Sequence, residues 1–290
     1  MIIVTIPAYN EEKSIERVIY GIKQIMDSNK YKYKILVVDD GSKDNTAEIA
    51  KNSGAIVYSH PYNYGLAETF RTEMQKCLEL KADIIIHTDA DNQYSTEEIP
   101  NLINKIKQGN DLVLGTRFGK GKYSGSFMKG LGNKVFAKAF SNLFNIKITD
   151  TTTGFRAFNS KVAKLPVINN FTYTQEQIIR ATKAKMKISE IPIITNKTRK
   201  SKLFRNPFDY AIKAWINLFR IYRDYEPLKF FGLVGFLFAF PGFLIGLWFS
   251  YLHFTTGIKG HLGLLFLMLI LIFTGIQISI FGFLADMKRK

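Results

Sequence analysis

The chain has 290 residues, 47% of them hydrophobic and 14% aromatic, which is enough for one sizeable α/β domain and a further element. A formal charge of +16 suits nucleic acid, anionic lipid or a phosphorylated substrate, but no RNA- or DNA-binding signature is present, so no nucleic-acid partner is expected. The single cysteine, Cys77, rules out an intrachain disulfide and suits a reducing compartment, while four scattered histidines argue against a local zinc motif.

The opening run Met1-Ile2-Ile3-Val4-Thr5-Ile6 is β-branched and stops at Pro7. It is too short for a secretion signal and lacks the basic start, so it reads as a buried strand with no leader. Ile15, Val18, Ile19, Ile22, Ile25 and Met26 then recur at three and four residues, the mark of an amphipathic helix. Strands are expected at 35–38, 55–58, 84–86 and 112–114, with helices at 46–52 and 66–80 between them. Cys77 shares helical spacing with Phe70 and Met74 and is read as core, not as a nucleophile. A further helix is expected from Ser95, whose partner Glu98 would complete a capping box, with Ile99, Leu102, Ile103 and Ile106 on its apolar face.

Strand–helix alternation of this kind predicts an α/β fold, a Rossmann-like, mainly parallel sheet with helices on both faces. Ligands of such sheets bind at the carboxyl ends of the strands. One crevice would therefore gather Pro7-Ala8-Tyr9-Asn10-Glu11, Asp39-Asp40 and Asp89-Ala90-Asp91 from distant parts of the chain. The absence of a G-x-G-x-x-G turn after the first strand argues against a nicotinamide or flavin site.

Beyond residue 115 the chain shows a Gly/Lys-rich loop at 120–123, a helix around Val135, Phe136, Ala139 and Phe140, and a strand-like stretch at 188–194. Between 207 and 225 an amphipathic segment places Phe208, Ala211, Ile212, Trp215, Leu218, Phe219 and Tyr222 on one side. It suits either domain packing or, with its Trp and Arg, a membrane interface. Two uncharged runs follow at 230–254 and 262–284, which as helices would span about 37 and 34 Å and so cross a hydrocarbon core of about 30 Å. Pro241 is tolerated in a membrane helix and is expected to kink it. Arg220, Arg223 and Lys229 precede the first run, Lys288-Arg289-Lys290 follow the second, and the turn between holds only Lys259. This bias predicts an integral, two-pass protein with both termini and the catalytic domain in the cytoplasm. The expected division is a catalytic domain at 1–203, an interfacial region at 204–228 and a hairpin at 229–290.

Asp89 and Asp91 project to one face of an extended strand end, where both carboxylates can meet one hard cation, and Gln93 continues the alternation. A divalent cation there could bridge a diphosphate and neutralise the charge on a leaving nucleotide. The same acids also suit capping of the Ser95 helix, and a lone D-x-D does not choose between the two. Asp39-Asp40-Gly41-Ser42 reads both as a turn with Ser42 or Asp44 capping the next helix and as acceptors for a base or ribose.

Pro7-Ala8-Tyr9-Asn10-Glu11, Val37-Val38-Asp39-Asp40-Gly41-Ser42 and Asp89-Ala90-Asp91 together resemble glycosyltransferase family 2, with its GT-A fold. Gly115-Thr116-Arg117, Asp150 with Thr153-Gly154-Phe155-Arg156, Glu190-Ile191-Pro192 and Ser201-Lys202-Leu203 are similar to its dolichyl-phosphate mannose synthase branch. The resemblance implies a donor site for a nucleotide sugar on Pro7, Ala8, Tyr9, Asn10, Glu11, Val38, Asp39, Asp40, Asp89, Ala90 and Asp91, with Arg117 and Lys202 on phosphates. It implies that Asp89, Asp91 and Gln93 bind Mg²⁺ or Mn²⁺, and it implies catalytic roles for Asp91 and Arg117. Two positions depart from the branch: Asn196 stands where it often carries Arg, and the acceptor-phosphate Arg after Arg117 is missing, leaving Lys122 or Lys129.

A phosphate acceptor fits on chemical grounds. A hydroxyl needs a general base to attack, whereas a phosphomonoester, with a second pKa of about 6, is already an oxyanion at neutral pH. The cations to position a polyprenyl phosphate would be Arg117, Lys129, Arg156, Arg199 and Lys202, although Arg156 suits a structural ion pair equally. The expected reaction is inverting transfer of a hexose from a GDP-mannose- or UDP-glucose-type donor to a polyprenyl phosphate. The competing reading is a membrane-tethered transferase acting on a glycan or lipid-linked oligosaccharide. A polysaccharide synthase is set aside because neither Trp215 nor Trp248 completes a Gln-x-x-Arg-Trp motif. The oligomeric state is left open.

Overall fold

The computed structural model describes residues 1–118, 127–168, 173–196, 207–255 and 261–287. The chain forms two compact units, Met1–Ala211 and Ile212–Lys290.

The first unit is built on a seven-stranded sheet. Its strands are β1 (Ile2–Ala8), β2 (Tyr33–Asp39), β3 (Ile56–Ser59), β4 (Ile84–His87), β5 (Leu112–Thr116), β6 (Arg156–Asn159) and β7 (Ile188–Pro192), in the order β3-β2-β1-β4-β6-β5-β7. β1 pairs in parallel with β2 and β4, β2 with β3, and β5 with β7. β6 runs antiparallel between β4 and β5. The run Ile2–Ala8 is buried along its whole length because helices cover both sheet faces, which is why its residues do not alternate with polar ones.

The helices of this unit are α1 (Ile15–Ser28), α2 (Thr46–Asn52), α3 (Leu66–Glu79), α4 (Ile99–Lys107), α5 (Phe127–Phe144), α6 (Ser160–Ala163) and α7 (Tyr173–Lys183). α1 seals Ile15, Val18, Ile19, Ile22 and Met26 against the sheet, each such burial contributing roughly 1.5–3 kcal/mol. α3 buries Phe70, Met74 and Cys77, and burial pushes the Cys77 thiol far up, as expected of an inert core residue.

The expected capping box at Ser95 does not form. Thr96–Glu98 is a 3₁₀ turn, α4 begins only at Ile99, and Ser95 makes no side-chain cap bond. The Glu98 carboxylate instead accepts from Asn101 Nδ2 at 2.8 Å. At the start of α2, Asp44 Oδ1 accepts from the Thr46 N–H at 3.1 Å, while the N-cap residue Asn45 makes no side-chain cap bond. The strand-like stretch expected at 188–194 ends at Pro192, and β6, α6 and α7 were not anticipated.

The remaining helices are α8 (Pro207–Tyr225), α9 (Pro227–Thr255) and α10 (Leu262–Met287). In α8, Leu218, Ile221 and Tyr225 are buried, while Ile212, Trp215, Ile216 and Phe219 form an exposed apolar stripe at helical spacing. α9 and α10 are long and apolar enough to cross a membrane, with mean hydropathy 2.2 and 2.6, and α9 continues unbroken through Pro241. Only 11% and 6% of their most apolar windows are buried. They pack on each other through small residues. A Cβ on Gly275 would lie 2.7 Å from that of Ala239, and one on Gly282 would lie 2.6 Å from that of Phe231.

Candidate active site

The parallel register brings the carboxyl ends of β1, β2 and β4 to one edge: Ala8 lies beside Asp39, and Thr5 beside His87. Hydrogen bonds lace the loops that follow. Asn10, at φ 53, donates its N–H to Ser42 Oγ at 2.9 Å and accepts from Lys43 N through Oδ1 at 2.9 Å. Glu11 N donates to Thr46 Oγ1 at 2.8 Å, and Asp39 Oδ1 accepts from Ser42 N at 3.2 Å. A side chain at Gly41 (φ 69) would strike the backbone of Tyr62 and Asn63 at 2.5–2.9 Å, so only glycine lets these loops meet.

The candidate donor residues are not equally available. Asp40 is buried and already occupied: His60 Nδ1 lies 2.8 Å from its Oδ1, and the N–H groups of Tyr64 and Gly65 donate to its two oxygens at 2.9 Å. It organises the turn that carries the exposed Tyr62 and Tyr64, with rings 4.4 Å apart. Ala8, Val38 and Ala90 are buried, as is Pro7 in β1, whereas Tyr9 is 40% exposed at the rim. Glu11 is half-buried and accepts from Ser14 Oγ at 2.9 Å.

Asp89, Asp91 and Gln93 follow β4 and all keep a solvent-facing edge. Gln93 N donates to Asp91 Oδ1 at 3.0 Å, and Asn92 takes the left-handed conformation at φ 59. Burial pushes the Asp89 carboxyl up to about 6; His87 opposes the shift, and Asp91 and Glu73 add to it. Behind Asp89, the buried Tyr94 stacks on Phe155 at 5.2 Å and accepts from Gly154 N at 3.2 Å. Among the described residues no cluster of three or more His, Cys, Asp or Glu forms a complete metal cage. Two carboxylates with a neutral oxygen nearby suit a hard cation that takes its other ligands from substrate phosphates.

On the other side of the edge, Arg117 clasps Asp150 with two bonds, Nε to Oδ2 at 2.7 Å and NH2 to Oδ1 at 2.8 Å, and reaches Thr152 Oγ1 at 2.7 Å. Although burial pushes Asp150 up, the Arg117 guanidinium and nearby amides hold it below the usual carboxylate range. Glu190 on β7 fixes this turn by accepting from Thr149 N and Asp150 N at 2.9 and 3.0 Å. Arg117 is thus shared with Asp150 and Thr152, at the edge but not a free cation.

Arg156 corrects the expectation of an acceptor-phosphate cation. Its side chain is fully buried and donates to Thr174 O, Gln177 Oε1 and Thr153 O, so it presents no N–H to a ligand. Lys122, Arg199 and Lys202 lie outside the described residues, as does the side chain of Lys129. Asn196 is tied to the acidic loop: its N–H donates to Gln93 O at 2.8 Å and its amide to Asn92 O at 3.1 Å. Sequence reasoning missed this role, and also a buried pair behind Asp89, Glu73 and His87, whose Oε2 and Nε2 lie 3.2 Å apart. The signal for the pair was a charge at position 73 inside the apolar stripe of α3.

The family model for glycosyl transferase family 2 matches residues 3–165. The dolichyl-phosphate hexose transferase of Haloferax volcanii is 32% identical over 192 residues, covering 66% of this chain and 80% of that protein. The UDP-N-acetylglucosamine–dolichyl-phosphate N-acetylglucosaminyltransferase of Methanococcus voltae is 31% identical over 219 residues, covering 67% and 85%. The crystal structure of Mycobacterium tuberculosis glucosyl-3-phosphoglycerate synthase with Mn²⁺, UDP and phosphoglyceric acid shares the fold, with a TM-score of 0.58 at 20% identity over 75% of this chain and 78% of that one. With the strand-end motifs gathered at one sheet edge and the family model spanning more than half of its 290 residues, the chain belongs to glycosyltransferase family 2.

Proposed function

We propose that the protein transfers a hexose from a nucleotide sugar to a polyprenyl phosphate at a membrane surface, with inversion at the anomeric carbon. The observation that carries this reading is the meeting at one sheet edge of two carboxylates, Asp89 and Asp91, with Arg117, which Asp150 holds in place. The names of the Haloferax and Methanococcus relatives support a dolichyl-phosphate acceptor, and the Mn²⁺ and UDP bound to the mycobacterial enzyme support a metal-dependent donor site.

Asp89 and Asp91, with Gln93, would hold Mg²⁺ or Mn²⁺. The raised Asp89 carboxyl, beside a second acid, fits a position where a cation relieves crowded negative charge. When bound, the metal supplies charge neutralisation of the diphosphate. The nucleoside would lie against the laced loops of β1 and β2, near Tyr9 and Asp39. Arg117, with Lys129, Arg199 and Lys202, would orient the phosphates. An oxygen of the lipid phosphate attacks the anomeric carbon as the bond from that carbon to the nucleoside diphosphate breaks. No general base is required, because the nucleophile is already an anion.

α9 and α10 would anchor the enzyme as a hairpin, with the exposed stripe of α8 in the interface, and the basic flanks support an orientation with both termini in the cytoplasm. The test uses detergent-purified protein, Mn²⁺, a polyprenyl phosphate and a panel of radiolabelled nucleotide sugars. Label in the organic phase from one donor is the expected result. Nucleoside diphosphate release with label only on a soluble glycan would replace this reading by the tethered transferase.

A further inference from the structure

We propose that Glu73 and His87 form a buried clamp that positions the Asp89 carboxylate through the Gly154 peptide. The clamp rests on the reading of Asp89 as a metal ligand, and it assigns work to two residues that touch neither donor nor acceptor.

His87 closes β4, two residues before Asp89, and both it and Glu73 on α3 are fully buried. His87 Nδ1 lies 2.7 Å from the carbonyl oxygen of Gly154. A carbonyl only accepts, so Nδ1 carries the hydrogen and donates. The ring's other nitrogen then faces Glu73 Oε2 at 3.2 Å, off the line of a good hydrogen bond, and neither atom has another partner. The second oxygen of Glu73 accepts from Thr5 Oγ1 on β1 at 2.9 Å, which locks the carboxylate to the sheet. Phe70 and Tyr173 wall the imidazole, with ring centroids 5.4 and 6.0 Å away.

The far end of the chain of contacts is Gly154. Its carbonyl is held by His87 and its N–H by the Tyr94 hydroxyl, so the peptides on both sides of its Cα are fixed. A Cβ at this position would stand 2.8 Å from each carboxylate oxygen of Asp89. The glycine Cα is thus a wall against which that carboxylate rests, and its place is set from behind by His87 and Glu73. A purely structural filling of this space would be better served by apolar side chains, since a buried ionic pair is a weak contributor to stability. Metal ligands, in contrast, need their orientation fixed by groups behind them.

The experiment measures Mn²⁺ binding directly, from the electron paramagnetic resonance of free Mn²⁺, and as the Mn²⁺ dependence of turnover in the full-length protein. His87→Leu should raise the half-saturating Mn²⁺ concentration by about 10–100-fold, with much of the turnover recovered by excess Mn²⁺. His87→Asn, whose amide can still donate to the Gly154 carbonyl, should restore most of the affinity. Gly154→Ala presses on Asp89 while leaving the Glu73–His87 pair in place, and should weaken Mn²⁺ comparably. A folded His87→Leu protein with wild-type Mn²⁺ affinity overturns the clamp. If His87→Leu does not fold, wild-type Mn²⁺ affinity in Gly154→Ala does so. Asp89→Asn separates the two readings: if it binds Mn²⁺ like wild type, the metal assignment itself has failed.

Discussion

Where the loops after β1 and β2 meet, they are held to each other by hydrogen bonds between side chains and backbone, as at Asn10–Ser42 and Glu11–Thr46, while the buried Asp40 carboxylate serves the separate 60–65 turn. On the side built by β5, β6 and β7, the same task falls to buried charge: Arg117 on Asp150, Glu190 under the 149–150 turn, and Arg156 sunk among carbonyls. The difference lies in what one substitution costs. A neutral hydrogen bond contributes about 1 kcal/mol net, so a lacework of several degrades gradually. A buried charge stripped of its partner costs about 3–5 kcal/mol, so the second side fails at single positions.

The acidic pair between the two sides should show the largest effect. Asp91→Ala is expected to lower lipid-linked label by about 10³-fold or more, and near-normal transfer would remove the metal assignment. Next comes Asp150→Ala, which leaves Arg117 without its carboxylate. Thermal unfolding should report a loss of about 3–5 kcal/mol, and a loss under 1 kcal/mol would break the contrast drawn above.

A third expectation concerns pH. A carboxyl raised to about 6 is increasingly protonated as pH falls through that value, and a cation must then displace the proton. The Mn²⁺ concentration for half-maximal turnover should therefore rise by about tenfold per unit below pH 6. A flat Mn²⁺ requirement between pH 5 and 7 would show that Asp89 is not the group displaced. The smallest effect is expected on the laced side: Ser42→Ala should cost about 1 kcal/mol in a denaturant titration. If it costs as much as Asp150→Ala, the two sides are not held differently.

Much of the first side was legible in the sequence, because β1, β2 and β4 are short apolar runs ending in Pro, Asp or His, with strongly periodic helices between them. The crevice follows from parallel topology alone. The second side was harder. β6 is only four residues long and opens with Arg156, so neither length nor alternation marks it, and an arginine in a motif reads as a ligand cation until its burial is seen. The role of Asp40 as anchor of the 60–65 turn depends on Tyr64 and Gly65, 24 and 25 residues away, which no local pattern encodes. The Ser95–Glu98 box failed because a 3₁₀ turn took the place of the first helical turn, and Glu98 found Asn101.

The burial of Cys77 makes the wild-type chain its own blank for thiol labelling. It is the single cysteine, it is fully enclosed, and its thiolate is strongly disfavoured, so maleimide reagents should leave the folded protein unmarked. Any cysteine introduced elsewhere then reports on its own location without first stripping the background. Lys259→Cys, between the two apolar helices in sequence, would read which face of a sealed vesicle that position occupies.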